Sequence, residues 1–277
     1  MIVSKDTWQS TVTTRCRLHL PQAQVGVGAI QGGERLGLRV CFNQGFIELP
    51  DKTLLMAGYG AFEGDMEHED YCGGFMIEEN FCKARAILLE SKDGGANWHL
   101  RATIANYPSF SREGCDEPDI VSLPNGDLFC AMRTGLSGYT DERGTHDEPV
   151  LTAWSSCEGH SWSDAQRVYV DGNLITGIFP RMVVLDNGVV GLLRSRPGSS
   201  VVLNPVGTGA VWTDEVTLVE ESFRHPGRGT MNALRQIGPH TMLAAFRDLG
   251  QSGNEQRLDL KLQTIAVTKA PGEPVWC

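Results

Sequence analysis

The sequence has no long hydrophobic run. Its 277 residues contain no apolar segment near the roughly 20 residues that a membrane-spanning helix needs. Met1 is followed by IVSKDTW, which is unlike the basic and then apolar start of an export signal. We therefore expect a soluble chain with no membrane partner and, by default, a cytoplasmic location.

Basic residues are also scarce, since 24 Lys and Arg face 34 Asp and Glu, which gives a net charge of −10 and a pI of about 5.2. This excess of negative charge repels a phosphate backbone and argues against a nucleic-acid partner. The eight cysteines form no CxxC pair, and the seven histidines are scattered. The sequence therefore predicts reduced cysteines, no metal and no other cofactor.

Glycine is abundant, with 32 residues, and one glycine-containing turn motif recurs. Residues 91–98, SKDGGANW, match the pattern SxDxGxxW at every fixed position. In this pattern Asp can accept hydrogen bonds from its own turn, Gly adopts backbone angles that other residues avoid, and Trp covers the turn. Residues 155–162 keep Ser, Gly and Trp but have Cys157 in place of the acid, and residues 205–212 keep only Gly and Trp.

Each motif follows a pair of strands joined by a polar turn. The pairs are 46–60, 119–135 and 181–196, and a fourth pair at 231–248 leads through a loop at 248–256 to a strand at 258–267. Four short antiparallel strands per unit predict the blades of a β-propeller, and a repeat along most of the chain predicts one domain over residues 1–277. The number of units indicates five to six blades or an incomplete ring. Residues 10–20 alternate like a strand and predict the outer half of a further blade.

Blade geometry predicts which side chains meet. In an antiparallel hairpin the start of the first strand lies beside the end of the second, and the first strand of each blade lines the central channel of a propeller. We align the four turns on Lys52, Gly126, Gly188 and His240. Seven residues onward stand Tyr59, Arg133, Ser195 with its neighbours Arg194 and Arg196, and Arg247.

Arginines from three blades at one corner of an acidic protein predict an anionic ligand, because the planar guanidinium matches a carboxylate in a two-point contact. Glu117 is expected beside Arg133 across the second hairpin. Other interpretations stay open: Glu117 and Arg133 as a structural ion pair, Tyr59 as channel packing, and Arg194 as a solvated strand end. The long acidic loop 61–83, which contains Asp65, is either a functional rim or a solvated surface.

The motifs, the repeated units and the run Glu-Pro-Asp-Ile-Val, Leu-Pro-Asn-Gly and Met-Arg within 117–133 resemble the sialidase superfamily of six-bladed propellers. The resemblance covers about residues 41–268, and residues 177–203 resemble a divergent bacterial sialidase-like branch. It implies a retaining exo-glycosidase with an arginine triad for the sialate carboxylate, a Tyr nucleophile polarised by Glu, and an Asp acid/base.

Position by position, Glu117 and Arg133 match the motif, and Asp65 falls near the acid of the family. The expected catalytic residues are Glu117, Asp65 and Tyr59, and the expected substrate-binding residues are Arg133, Arg194, Arg196, Arg247, Arg181 and Tyr139. The predicted function is removal of a terminal acidic sugar from a glycan, as an exo-α-sialidase does. The alternative is a non-catalytic carbohydrate-binding propeller, since residues 230–232 read Thr-Met-Asn where the family has its Tyr, and residues 42–43 read Phe-Asn where it has Arg-Ile-Pro.

Overall fold

The computed structural model of the chain is all-β, with no helix among the residues that it describes. These are residues 2–3, 9–20, 30–31, 34–35, 40–42, 46–60, 62, 65, 83–106, 114–134, 149–195, 198–220, 232–252 and 255–268.

The strands before the second motif are β1 (Ile2–Val3), β2 (Val12–Thr13), β3 (Arg17–His19), β4 (Ile30–Gln31), β5 (Glu34–Arg35), β6 (Phe46–Glu48), β7 (Leu54–Gly60), β8 (Arg85–Ser91), β9 (Asn97–Ala105), β10 (Asp116–Ser122), β11 (Leu128–Arg133) and β12 (Leu151–Ser155). The later strands are β13 (Gln166–Arg167), β14 (Tyr169–Val170), β15 (Asn173–Leu174), β16 (Ile178–Val184), β17 (Val190–Ser195), β18 (Ser199–Asn204), β19 (Thr213–Val219), β20 (Ala233–Gly238), β21 (Thr241–Ser252) and β22 (Glu255–Ala266).

Four larger sheets follow one another along the chain. Sheet 1 has the order β6-β7-β8-β9 with β3 outside β9, sheet 2 is β10-β11-β12-β13, sheet 3 is β16-β17-β18-β19, and sheet 4 is β20-β21-β22. Consecutive sheets lie in contact, since β10 touches β7 and β16, and β16 touches β20. The all-β class and the four-stranded antiparallel units are confirmed, whereas the closed ring stays a prediction.

The first three hairpins share one turn geometry. The N–H of Gly126 donates to the carbonyl of Leu123 over 2.9 Å, and the first and third hairpins repeat this bond from Lys52 and Gly188. These three residues have φ of 90°, 72° and 83°, a region that favours glycine. Aligning the hairpins on these residues therefore matches equivalent positions.

Two expectations at the chain's ends were wrong. Residues 17–19 do not belong to a separate blade, because β3 pairs in parallel with β9, with Arg17 opposite Asn97. The predicted loop 248–256 is mostly strand, since β21 and β22 form one long hairpin in which residues 241–252 pair with 255–266. Alternation in a sequence indicates a strand but does not identify the strand with which it pairs.

Apolar side chains fill the space between consecutive sheets. One cluster joins sheets 1 and 2 through Leu88 and Leu128, and a second joins sheets 2 and 3 through Phe129 and Leu192. A third joins sheets 3 and 4, where Met242 is fully buried. Burying one such side chain contributes roughly 1.5–3 kcal/mol, so these layers hold the inner strands β10, β16 and β20 side by side.

The three motif turns have the same hydrogen bonds at Trp. The indole N–H of Trp98 donates to the carbonyl of Gly95 over 3.0 Å, and the bonds from Trp162 to Gly159 and from Trp212 to Gly209 measure 3.2 and 2.9 Å. The sequence pattern therefore corresponds to one turn structure, even in the third copy.

The acidic position of the motif is where the first two turns differ. Asp93 accepts a hydrogen bond from the N–H of Asn97 over 2.9 Å, and the side chain of Asn97 donates to it as well. These bonds lower the pKa of Asp93 to about 2. In the second turn the thiol sulfur of Cys157 accepts the equivalent bond from Ser161 over 3.2 Å.

Candidate functional site

Strands β10 and β16 begin with the same irregularity. Their pairing with the next strand shifts register between Asp116 and Asp119 in one case and between Ile178 and Arg181 in the other. Glu117 and Phe179 occupy equivalent places and have φ of 49° and 51°. A bulge of this kind changes the direction of neighbouring side chains, so two consecutive acidic residues can bind the same basic side chain.

That partner is Arg133, which lies opposite Asp116 at the end of β11. Its two terminal nitrogens bond to Asp116 Oδ2 at 3.2 Å and to Glu117 Oε1 at 3.3 Å. The three side chains are between 5% and 8% exposed, so this is a buried ion pair with two carboxylates. The predicted neighbourhood of Glu117 and Arg133 is therefore present, with Asp116 as a third member.

Tyr59 completes what we call the Arg133 cluster, together with Asp116, Glu117 and Arg133. It is the penultimate residue of β7 in sheet 1, forms a bridge with Cys41, and interacts electrostatically with both carboxylates of the cluster. Burial raises the pKa of Tyr59 above its ordinary value, and Cys41 and the two carboxylates raise it further. The phenol is therefore neutral and able to donate its proton to an acceptor.

Carboxylates also connect sheet 2 to sheet 3. Glu117 Oε2 accepts a hydrogen bond from the backbone N–H of Phe179 over 2.9 Å. Asp119 Oδ2 accepts one from the N–H of Met182 over 2.6 Å. Burial raises the pKa of Asp119 to about 6, although the bond from Met182 and the nearby Arg181 act in the opposite direction.

Sheet 3 is connected to sheet 4 through Arg181 and Asn232. The Nε of Arg181 donates to the backbone carbonyl of Asn232 over 3.1 Å, and the Asn232 amide donates to Ser195 Oγ. Burial lowers the pKa of Arg181, and the charges of Asp119 and Glu117 oppose this shift. Arg181, which the sequence predicted as a site residue, therefore lies between the carboxylate of Asp119 and sheet 4.

A cavity of about 560 Å³ lies along the inner strands. Its lining includes Phe46, Glu48, Asp119, Met182 and Arg235, which come from all four sheets. Asp119 connects this cavity to the Arg133 cluster, because it is two residues from Glu117 on the same strand. The inner strands thus face a common space, as the predicted central channel requires.

Other predicted residues lie apart from this cluster. Arg194 donates to Glu215 on the outermost strand of its own sheet over 2.8 Å. Asp65 accepts hydrogen bonds from Arg85 at both carboxylate oxygens and from the N–H of Phe62. Both side chains are therefore held in ion pairs within their own parts of the chain.

Arg247 lies on β21 opposite Leu260, and its Nε atom is buried without a hydrogen-bond partner in the part of the chain that the structure describes. Its position in its hairpin is equivalent to that of Arg133. Ala245 pairs with Ala233 in sheet 4 as Ala131 pairs with Asp119 in sheet 2, and each arginine follows its alanine by two residues. Arg196 and Tyr139 fall outside the described residues.

Sequence reasoning missed Asp116, Asp119, Asn232 and Arg235 as members of this region. Asp119 carried a signal, because it is an acidic residue directly before the apolar Ile120 and Val121 in a strand that was expected to line the channel. The roles of Asp116 and Asn232 depend on the bulge and on the neighbouring sheet, which leave no mark in the sequence.

No group of three or more metal-ligating side chains occurs within the described ranges. None of the residues that the structure describes forms a helix with the length and apolar character that crossing a membrane requires.

No protein-family model matches the chain, and no curated protein matches it in sequence. Solved structures do resemble it. A protein of unknown function from Dyadobacter fermentans has a TM-score of 0.64 and 17% identity, over 96% of this chain and 63% of that one. A family 117 glycoside hydrolase from Zobellia galactanivorans has a TM-score of 0.50 and 10% identity, over 82% and 69% of the two chains.

A mutant of the sialidase NanB from Streptococcus pneumoniae has a TM-score of 0.52 and 7% identity, over 83% of this chain and 51% of that one. The chain thus spans less than two thirds of the Dyadobacter protein and about half of NanB. At such low identity the similarity concerns the fold alone, and two of the proteins that share it are glycoside hydrolases or sialidases.

Proposed function

We propose that the protein is a sialidase-like glycoside hydrolase that removes a terminal acidic sugar, with its site at one end of the channel of a propeller. The observation that carries this proposal is the Arg133 cluster, in which two buried carboxylates bind one arginine and interact electrostatically with Tyr59. The fold shared with glycoside hydrolases supports it.

In the proposed reaction Tyr59 attacks the anomeric carbon, and Glu117 or Asp116 accepts the phenolic proton. A neutral phenol suits an acidic sugar, because it approaches without the charge repulsion that a carboxylate nucleophile would meet. A covalent glycosyl-tyrosine then forms, and water hydrolyses it with retention of configuration. The raised pKa of Tyr59 makes an adjacent proton acceptor necessary.

Protonation of the leaving oxygen is assigned to Asp65. Because both oxygens of Asp65 accept hydrogen bonds from Arg85, this role requires the pair to open and Asp65 to take up a proton from water before the bond to the leaving oxygen breaks. Binding of the sugar carboxylate is assigned to Arg133, Arg181 and Arg247, with Arg196 and Tyr139 as contacts from the loops. Arg194 is less suited to it, because it points away from the Arg133 cluster and bonds to Glu215 on the outermost strand of its own sheet.

The test is hydrolysis of fluorogenic acidic glycosides, an α-sialoside and a glucuronide, by the full chain. Tyr59→Phe removes only the hydroxyl and should lower kcat by at least about 10³-fold, as loss of a nucleophile does. Tyr169→Phe is the matched control, since Tyr169 is 48% exposed and lies on β14, outside the four larger sheets, and it should leave the rate unchanged. Absence of turnover by the unmodified protein on every acidic glycoside would refute the proposal.

A non-catalytic carbohydrate-binding propeller is the second candidate. It is favoured because both oxygens of Glu117 already accept hydrogen bonds, one from Arg133 and one from the N–H of Phe179. These bonds suit a structural role in which Glu117 connects sheets 2 and 3. It predicts binding on a glycan array without turnover, unaffected by Tyr59→Phe and weakened by Arg247→Met. Turnover that depends on Tyr59 would exclude it.

A further inference from the structure

Sheet 4 has one edge and one face that the rest of the described chain leaves open. Sheets 1 to 3 each have a strand beyond their third, whereas sheet 4 ends at β22. On β22, Leu260 and Leu262 are 73% and 63% exposed. Large apolar side chains at such exposure on one sheet indicate a surface that becomes covered by a partner.

The outer edge of β22 can pair with another strand. β22 pairs with β21 along its full length, from Glu255 to Ala266, and no described strand pairs with its other edge. A long edge strand presents a row of backbone N–H and C=O groups that another chain can use, and natural proteins usually block such edges. Here the exposed leucines favour pairing over blocking.

The sequence of β22 is complementary to itself. In an antiparallel pair of two β22 strands centred on Leu260, Leu260 faces its own copy, and Asp259 faces Lys261 of the second copy. The two-fold symmetry gives this charge pair twice. Opposite charges directly across a strand pair stabilise it, and like charges destabilise it.

The position of Asp259 within its own sheet fits the same arrangement. Asp259 lies directly opposite Asp248 on β21, so the hairpin itself sets two acids against each other. Lys261 bonds Asp248 at 2.9 Å and is still 52% exposed, which leaves its ammonium accessible from outside the sheet. A second lysine arriving from a partner strand would add favourable charge next to this acidic pair.

We propose that the protein forms a symmetric dimer in which β22 pairs antiparallel with β22 of a second copy, centred on Leu260. The two three-stranded sheets then join into one sheet of six strands. Because β20 faces the cavity and β22 lies at the opposite side of sheet 4, dimerisation leaves the cavity open.

The experiment measures the mass of the full chain by size-exclusion chromatography with light scattering over a dilution series. The unmodified protein should have twice the 30.3 kDa chain mass. Asp259→Lys places lysine against lysine at both pairs and should weaken the dimer by about tenfold or more. Within the chain this variant sets Lys opposite Asp248, and circular dichroism and urea denaturation check that it keeps its fold.

The double variant Asp259→Lys with Lys261→Asp restores both opposite-charge pairs across the two-fold axis and should regain the dimer. A monomeric unmodified protein at every concentration would overturn the proposal. So would a dimer that Asp259→Lys leaves intact, or a double variant as weak as the single one. Strong hydrogen-exchange protection of the outer β22 amides in a monomer would show instead that another segment of the same chain covers this edge.

Discussion

The carboxylate of Asp119 in sheet 2 bonds to the backbone N–H of Met182 in sheet 3 over 2.6 Å. This contact crosses between two sheets and places an ionisable group in the interior. Burial raises the pKa of Asp119 to about 6, from an ordinary value of 3.8. The stability of the junction between these sheets is therefore expected to depend on pH.

Between about pH 4 and pH 6 the folded chain retains a proton on Asp119 that the unfolded chain has lost. Raising the pH through this window should lower the free energy of unfolding by up to about 3 kcal/mol, with no further change from this group above it. Urea denaturation at several pH values measures this slope. Asp119→Asn should reduce the dependence of the free energy of unfolding on pH. An Asp119→Asn variant with the same pH dependence as the unmodified protein would show that another group causes it.

Arg133 should contribute strongly to stability through its two carboxylate partners. Arg133→Met leaves Asp116 and Glu117 buried without their cation, and removing one partner from a buried ion pair costs about 3–5 kcal/mol. Urea denaturation at pH 7 measures the loss. Lys52→Met is the control, because the pair between Lys52 and Glu48 is exposed and should add nothing measurable. Equal midpoints for the two variants would contradict this role of Arg133.

Restoring the acid in the second motif should stabilise the protein. In Cys157→Asp, a carboxylate would accept the N–H of Ser161 as Asp93 accepts that of Asn97, and hydrogen bonds to a charged acceptor are stronger than those to sulfur. The thermal midpoint should rise, and Cys157→Ala should lower it. Calorimetry under reducing conditions tests both variants, and a lower midpoint for Cys157→Asp would show that the turns are not equivalent.

Much of the fold could be predicted because its determinants are local. Gly126 and Gly188 mark tight turns, the flanking residues alternate or run apolar, and the motif spacing fixes where the outer strands begin. These features act within a few residues of one another, so they are visible in the sequence. The pairing of β3 with β9 joins residues about 80 positions apart, and no local pattern specifies it.

The site was harder to predict because side chains on a strand alternate between two faces. Counting from the turns gives Ser195, and Ser195 does face Asn232 of the next sheet. Arg194 is one residue away and therefore points to the opposite face, where it meets Glu215. The bulge at Glu117 breaks this alternation and brings Asp116 and Glu117 to the same arginine.

Packing between sheets 1 and 2 depends on the glycine of the second motif. Gly159 has φ of 86°, and a Cβ there would lie 2.3 Å from Leu88 of sheet 1. Gly126 has φ of 90°, but a Cβ there would meet nothing within 4 Å. Gly126→Ala should thus lower the free energy of unfolding by only about 1–2 kcal/mol, the cost of a positive φ for a residue with a Cβ. Gly159→Ala must also displace Leu88, and it should lower the free energy of unfolding by about 1–3 kcal/mol more. Urea denaturation of the two variants measures this difference in stability. Equal losses of stability would mean that the side chain of Leu88 does not pack closely against this turn.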